Sequence, residues 1–322
     1  MAITVMITGS EGFIGSNMLK WWVNHYPFDT IVRVDAFTYA ARPTLLTKEE
    51  NKRTILENIN ICDQAAVAKV MQKYRPDIVL HYAAESHVCR SITGPKDFVQ
   101  TNVLGTFNLL EEFRGIDNFG TFVHISTDEV FGELELEDPS FNEDTPLKPR
   151  SPYAASKAAS DMIALSYFHT YSLDVRITNS SNVFGPNQHE EKLIPKAITK
   201  LLDDEPMTIY QGGQQVRNWL YVDDHCRAID KIAHDGIAGE RYCIGGEYEC
   251  SNLELVNTIH ELLLKNHAHP HPLRLDFINA RPTDDFRYSI DSSKLKNMGW
   301  SQNKNGFRKN LSDTIKWYYD RN

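Results

Sequence analysis

The chain has 322 residues, 41% hydrophobic and 24% charged, an ordinary globular balance that excludes a disordered or collagen-like protein. With 43 acidic against 34 basic residues the net charge is −9, which argues against sequence-independent nucleic-acid binding, because that needs a basic face. No apolar run approaches the roughly 20 residues that cross a bilayer. The opening MAITVMITGSEGFIG runs straight into a strand and a glycine-rich turn, so no signal peptide is expected. Five scattered cysteines (Cys62, Cys89, Cys226, Cys243, Cys250) without a C-x-x-C pair argue against a disulfide framework or a metal site and fit the reducing cytoplasm.

In chain order, β-branched runs predict strands at Thr4–Thr8, Ile31–Asp35, Asp77–Ala83, Thr121–Ser126 and Asp174–Thr178. Between them lie segments of helical length. In Asp97–Arg114 the apolar Val99, Val103, Phe107 and Leu110 recur at helical spacing, and Ser151–Tyr171 forms a second such stretch. Strand–helix alternation predicts an α/β fold, a parallel sheet covered by helices on both faces. After about Asn179 the pattern loosens. Helices are expected at Glu190–Asp204, Asp223–His234, Asn252–Lys265 and Gly306–Tyr319, among short strands, as a smaller mixed α/β lobe. The expected division is therefore 1–178 and 179–322, with segments around 215–235 returning to the first part. The histidines His267, His269 and His271, broken by Pro270 and Pro272, read as a solvated loop rather than a metal cluster.

Strand Thr4–Thr8 is followed by Gly9, Gly12 and Gly15, spaced G-x-x-G-x-x-G, and then by a helix. Glycines there let the backbone approach a pyrophosphate, whose charge meets the helix N-terminus. Asp35 ends the next strand, where a carboxylate can accept ribose hydroxyls and repel a 2′-phosphate, so NAD is expected rather than NADP. A tight strand–helix turn could carry the same glycines without a ligand.

Tyr153 and Lys157 form Y-x-x-x-K on a predicted helix and share one face. A nearby ammonium, with a positive nicotinamide ring, favours phenolate and makes Tyr153 a plausible base for a sugar hydroxyl. The run Ser126-Thr127-Asp128-Glu129 ends a predicted strand, where open α/β sheets bind ligands. Two adjacent carboxylates can divide acid and base work if their pKa values are pushed apart. A regular strand would point them to opposite faces, so both reach one substrate only if the strand ends first and the chain turns, aided by Gly132. A plain solvated turn fits the same letters.

These motifs resemble the extended short-chain dehydrogenase/reductase superfamily, and within it the nucleoside-diphosphate-glucose 4,6-dehydratases acting on dTDP-glucose or UDP-glucose. The similarity spans TGSEGFIGS (Thr8–Ser16), AAESHV (Ala83–Val88), TNVLGT (Thr101–Thr106), STDEVFG (Ser126–Gly132), SPYAASKAASD (Ser151–Asp161), SSNVFGPNQ (Ser180–Gln188), EKLIPK (Glu191–Lys196), VRNWLYVDD (Val216–Asp224) and ARPTDDFRYSID (Ala280–Asp291). The resemblance implies a Rossmann-type, doubly wound NAD domain with a smaller nucleotide-sugar lobe. It also implies a homodimer, with the Asp97–Arg114 and Ser151–Tyr171 helices as candidates for the interface; their apolar faces fit ordinary intramolecular core equally well. The implied reaction is redox-neutral: Tyr153 deprotonates the C4 hydroxyl as hydride passes to NAD, Glu129 removes the C5 proton, Asp128 protonates the departing C6 hydroxyl, hydride returns to C6, and C5 is reprotonated. Thr127 would hold the C4 oxygen and Lys157 the nicotinamide ribose.

By the same resemblance, Gly9, Gly12, Phe13, Ile14, Gly15, Asp35, Ala36, Phe37, Thr38, Asn60, Ile61, Ala83, Ala84, Thr101, Tyr153, Lys157 and Val183 form the cofactor shell. Ser86, Thr127, Asn182, Lys192, Leu193, Tyr210, Arg217, Asn252, Arg281 and Tyr288 form the substrate shell. Arg217 and Arg281 suit a diphosphate through their guanidinium forks. The chain departs from the common bacterial pattern at Thr283-Asp284, where Gly-His is usual, at Cys89 and Asn60, each in place of an Asp, and at Val183, in place of an Asn. The loop after Gly132 is also shorter. The R-P-x-x-D-x-R-Y form looks more like the eukaryotic branch, including UDP-glucose enzymes of rhamnose synthesis, so uracil and thymine both stay open. The competing readings are an epimerase or decarboxylase on the same fold, and a non-catalytic NAD-binding sensor.

Overall fold

The computed structural model describes residues 2–42, 44–116, 120–267, 271–279 and 284–321. Its twelve strands are β1 Thr4–Thr8, β2 Thr30–Asp35, β3 Thr54–Asn58, β4 Ile78–His81, β5 Thr121–Thr127, β6 Asp174–Ser180, β7 Asn182–Phe184, β8 Met207–Tyr210, β9 Val216–Tyr221, β10 Arg241–Ile244, β11 Tyr248–Ser251 and β12 Leu275–Ile278. Seven form one sheet in the order β10-β6-β5-β4-β1-β2-β3, every pair parallel. Strand order reverses between β1 and β4, the point where such sheets open a crevice at their carboxyl ends.

Alternate residues of each strand face opposite layers. Val5, Ile7, Leu80 and Val123 pack with Trp22 and Ile229, on the helices Phe13–His25 and Val222–Asp235. Met6, Val32, Val79 and Phe122 pack with Val70, Leu109, Phe113 and Ala164, on the helices Gln64–Tyr74, Thr106–Arg114 and Pro152–Tyr171. With both faces covered, these strands read as near-continuous apolar runs.

The chain leaves the large sheet at Ser180 and enters β7 at Asn182, so Ser181 alone joins the two sheets. Strands β11-β9-β7 and β12-β8 form two small sheets. Phe184, Ile194, Ile198, Trp219, Ile259, Leu263, Leu311 and Ile315 share a separate core there. The helix Val222–Asp235 then returns to the large sheet, as does β10 at its far edge, which the sequence reading did not place.

One predicted helix differs in kind. Asp97–Arg114 is helical throughout, but Val99–Gly105 is a π-helix flanked by Pro95–Phe98 and Thr106–Arg114. The wider turn shifts the phase. Of the four apolar residues noted at helical spacing, Val99 and Phe107 are exposed and Leu110 is buried, while Asn102, Gly105, Thr106 and Leu109 are also buried. Among the described residues, no helix is long and apolar enough to cross a membrane. His269 and Arg281 lie outside the described residues.

Candidate active site

The turn after β1 is built for close approach. Gly9 has φ +67°, and a Cβ there would sit 2.6 Å from the Ala83 nitrogen; a Cβ on Gly15 would sit 2.0 Å from the Gly9 carbonyl oxygen. Gly12 caps the Phe13–His25 helix. Asp35 ties the turn to β2, its Oδ2 accepting from the Glu11 N–H at 2.9 Å and its Oδ1 from the Phe37 N–H at 2.8 Å. Burial pushes the Asp35 carboxyl above its ordinary value, against those two bonds. Glu11, not singled out from the sequence, is pinned from below by Arg33 at 2.5 Å in a buried ion pair.

Gly9, Gly12, Asp35, Ala36, Thr38, Asn60, Ile61, Ala83, Ala84 and Thr101 line one section of a cleft above the switch point. The next section shares Gly9, Gly12, Tyr82 and Ala84 with it. That section adds Phe13, Ile14, Gly15, Ser86, Thr127, Asp128, Glu129, Tyr153, Lys157, Asn182 and Val183. A third section, sharing Glu129, Asn182 and Lys192, continues to Leu193, Arg217, Asn252 and Tyr288. Two of the expected described residues lie off these walls: Phe37, exposed beside Asp35, and Tyr210, at the end of β8. A dinucleotide fits the first two sections, because glycine carbonyls and a helix N-terminus leave no room for side chains and the Asp35 carboxylate stands at the end of β2.

Strand β5 stops at Thr127, and Asp128–Phe131 form a single 3-10 turn. Gly132 closes it at φ +97°, where a Cβ would meet the Lys148 carbonyl oxygen at 2.7 Å. The turn brings both carboxylates into one cleft. Thr127 Oγ1 accepts from the Glu129 N–H at 3.3 Å and donates to Asp128 Oδ1 at 3.2 Å. Burial, then the charge of Glu129, raises Asp128 to about 7, against the Thr127 bond and Arg217. Asp128 can therefore hold a proton at neutrality.

The Pro152–Tyr171 helix starts with Ser151, whose Oγ accepts from the Ala154 N–H at 3.0 Å, and with Pro152 at its first position. That fixes Tyr153 and Lys157 at the cleft floor. Lys157 Nζ donates to the Ile125 carbonyl at 2.7 Å, and burial lowers its pKa to about 8. Around Tyr153 the chain adds groups that the sequence pattern does not display. In the chain itself burial and then the Glu129 charge hold the phenol well above its ordinary value, and the Thr127 hydrogen bond is the neighbour favouring phenolate.

The π-helix also serves this site. Asn102 Oδ1 accepts from the Glu85 N–H at 2.8 Å, while its Nδ2 donates to the Glu85 carbonyl and to Ser156 Oγ, each at 2.9 Å. It thereby clamps the Ala83–Ser86 loop to the tyrosine helix. In the third section, Arg217 lies over the Tyr288 ring, 4.5 Å from its centroid, and donates to the carbonyls of Val216, Asp285 and Phe286. Asp284 Oδ1 stands 3.9 Å from its guanidinium. Glu11, Asn102, Asp285, Tyr82 and His225 are wall or support residues the sequence reading missed. Glu11, Asn102 and Asp285 lie inside motifs quoted above, but the letters give them no role, and each contact is made by tertiary packing.

A switch-point crevice with a glycine-rich turn, a carboxylate at the end of β2 and a Y-x-x-x-K helix defines a Rossmann-type, dinucleotide-dependent enzyme. The GDP-mannose 4,6 dehydratase family model matches residues 6–314. The dTDP-glucose 4,6-dehydratase of Haemophilus influenzae is 43% identical, over 98% of each chain. That of Xanthomonas campestris is also 43% identical, over 98% of this chain and 93% of its own. Among solved structures, the dTDP-glucose 4,6-dehydratase of Streptomyces venezuelae with NAD bound superposes with a TM-score of 0.89 at 37% identity, covering 99% of this chain and 97% of that one. The Bacillus anthracis enzyme in complex with NAD gives 0.87 at 36%, with the same coverage. The chain belongs to the dTDP-glucose 4,6-dehydratase family.

Proposed function

We propose that the chain converts dTDP-glucose to dTDP-4-keto-6-deoxyglucose with NAD as a resident, recycled cofactor. The observation that carries this reading is Asp128, raised to about 7, one residue from Glu129 and in the same cleft as Tyr153 and Lys157. Bound NAD supplies the oxidising equivalent that opens the cycle and the reducing equivalent that closes it.

The chain's residues do the rest. Tyr153 takes the C4 hydroxyl proton while Thr127 holds that oxygen. Oxidation must come first, because an unactivated C5–H is far too weak an acid for a carboxylate. Beside a C4 ketone Glu129 can remove it, and Asp128, protonated in about half of the molecules at neutrality, delivers a proton to the departing C6 hydroxyl. The Leu193–Leu202 helix points its N-terminus at the third section, which favours a diphosphate there. Arg217 lines the same section, though its fork is turned to backbone carbonyls in the chain alone. Two copies are proposed to pair through the exposed Val99, Leu104, Phe107 and Met162 of the 95–114 and 152–171 helices. A cytoplasmic site of action and a product feeding rhamnose-type deoxysugars complete the proposal.

Separate incubations with dTDP-glucose and UDP-glucose test it. The expected result is the 4-keto-6-deoxy product from dTDP-glucose at the higher rate, without net NADH. A faster reaction of UDP-glucose would reassign the base, and a C4 epimer would overturn the reaction.

A further inference from the structure

Tyr153 and Lys157 do not end the polar stripe of their helix. Asp161 follows Lys157 by four residues, as Lys157 follows Tyr153, so the three project from successive turns of one face. Asp161 is fully buried, and groups from three strands of the large sheet gather on its carboxylate. From β5, His124 Nε2 lies 3.2 Å from Oδ1. From β10, Arg241 Nη1 donates to Oδ2 at 2.8 Å. From β6, Asn179 Nδ2 donates to the same oxygen at 3.3 Å. The Asn179 amide also donates to the Thr127 carbonyl at 2.9 Å, and its own carbonyl accepts from Arg241. The cluster therefore joins the helix bearing Tyr153 and Lys157 to the strand end bearing Thr127, Asp128 and Glu129.

A lone carboxylate this deep would take up a proton. Burial does work against Asp161, but His124, Arg241 and Lys157 outweigh it and hold its carboxyl well below the ordinary range. Burial holds His124 neutral, at about 4, so it brings no charge; its Nε2 also lies 3.1 Å from Ser160 Oγ, and Asp161 Oδ1 accepts no hydrogen bond. Burial also depresses Lys157, and Asp161 is the charge that opposes this.

We propose that Asp161 is a positioning residue of the dehydration: it supplies the buried negative charge that keeps Lys157 an ammonium, and through Asn179 it fixes the strand end that carries Thr127. The proposal rests on the 4,6-dehydratase reading. The other groups that face this stripe are His81 from β4, His124 from β5, Arg241 from β10, and Asp128 and Glu129 from the turn after β5. The π-helical segment packed alongside contributes only the uncharged Asn102. Arg90, Lys96 and Asp97, on the short helices nearby, are exposed, and Glu111 meets Tyr167 farther along the helix.

The test is Asp161→Asn, read by the pH profile of kcat and by NMR titration of lysine Cε in 13C-lysine-labelled protein, with the Lys157 signal assigned by its loss in Lys157→Met. Asp161 raises both Tyr153 and Lys157. Its removal should therefore move both limbs of the profile, and the Lys157 titration, to lower pH by about one unit, a tenfold loss of turnover on the alkaline side. Asp161→Glu, which keeps the charge but displaces it, should lower the height and leave the limbs in place. A uniform loss of kcat with unmoved limbs and an unmoved Lys157 titration would overturn the proposal. Should Asp161→Asn not fold because Arg241 is left unbalanced, Asp161→Asn/Arg241→Gln carries the same direction with a smaller shift. If that also fails to fold, Asp161 is a scaffold residue and the proposal falls. Absence of turnover in the wild type would instead sink the dehydratase reading, while the NMR titration would still judge the hold of Asp161 on Lys157.

Discussion

Replacing Asp128 with Asn removes a transferable proton and almost nothing else. An ordinary aspartate is protonated in roughly one molecule per thousand at neutral pH. Asp128, raised to about 7 by burial and by Glu129, is protonated in about half. A well-placed general acid contributes about 10²–10⁴-fold, so kcat of Asp128→Asn should fall by about that factor. Oxidation at C4 needs Thr127, Tyr153 and Lys157 but not this proton. Mixing the variant with dTDP-glucose in a stopped-flow instrument should therefore give a stoichiometric burst of reduced nicotinamide absorbance without product. In the wild type the elimination step should slow about tenfold per pH unit above about 7, and in the variant that slope should vanish. The same carboxyl fixes the sign of a stability change. Because its folded pKa is raised, its contribution is fully present below the unfolded value of 3.8 and is lost as pH rises through about 7. Asp128→Asn should thus be more stable than the wild type near pH 8, by up to about 4 kcal/mol, and gain little near pH 4. Turnover within tenfold of wild type, or a stability gain independent of pH, refutes the reasoning.

Glu129→Gln should still oxidise C4 but should abolish exchange of the C5 hydrogen with deuterated water; persistent exchange would assign that step to another base. Asp35→Ala removes the acceptor of the Glu11 and Phe37 N–H bonds, each worth about 1.5–3 kcal/mol as a charged bond. NAD affinity should fall and the preference over NADP narrow in a competition titration, and an unchanged preference would contradict the role of Asp35. Gly15→Ala forces a Cβ to 2.0 Å from a backbone oxygen, whereas at Gly12 the nearest approach is 3.3 Å. The first should lose bound dinucleotide or the fold itself and the second should be milder, as cofactor content and thermal unfolding would report; equal effects would discount the packing argument.

Much of the scaffold is legible in the letters, because a two-faced parallel sheet demands β-branched runs. TVMIT reads directly as β1, and the Ser151–Tyr171 stretch as the long helix that packs on β5 and β6. The Asp128–Glu129 turn is legible as a condition, since two carboxylates can meet one substrate only where the strand stops, and Gly132 supplies that stop. The π-helix is not legible. Its apolar spacing fits a regular helix, and the extra residue per turn is held by Asn102 bridging to Glu85 and Ser156, contacts that exist only after folding. β3 escapes because TILEN is a half-exposed edge strand without alternation. The cluster around Asp161 draws on β5, β6, β10 and one helix, so no local window contains it. The surroundings of Tyr153 escape for a related reason: the pattern displays the lysine four residues on, but not the burial or the Glu129 charge brought in from another strand.

The account stands on one internal exchange, in which hydrogen removed from C4 is the hydrogen delivered to C6. Turnover of dTDP-glucose deuterated at C4, followed by mass spectrometry and NMR of the product, measures that exchange directly. Deuterium in the C6 methyl group of the same molecule is predicted. A methyl group free of deuterium, or deuterium lost to solvent during turnover, would contradict it.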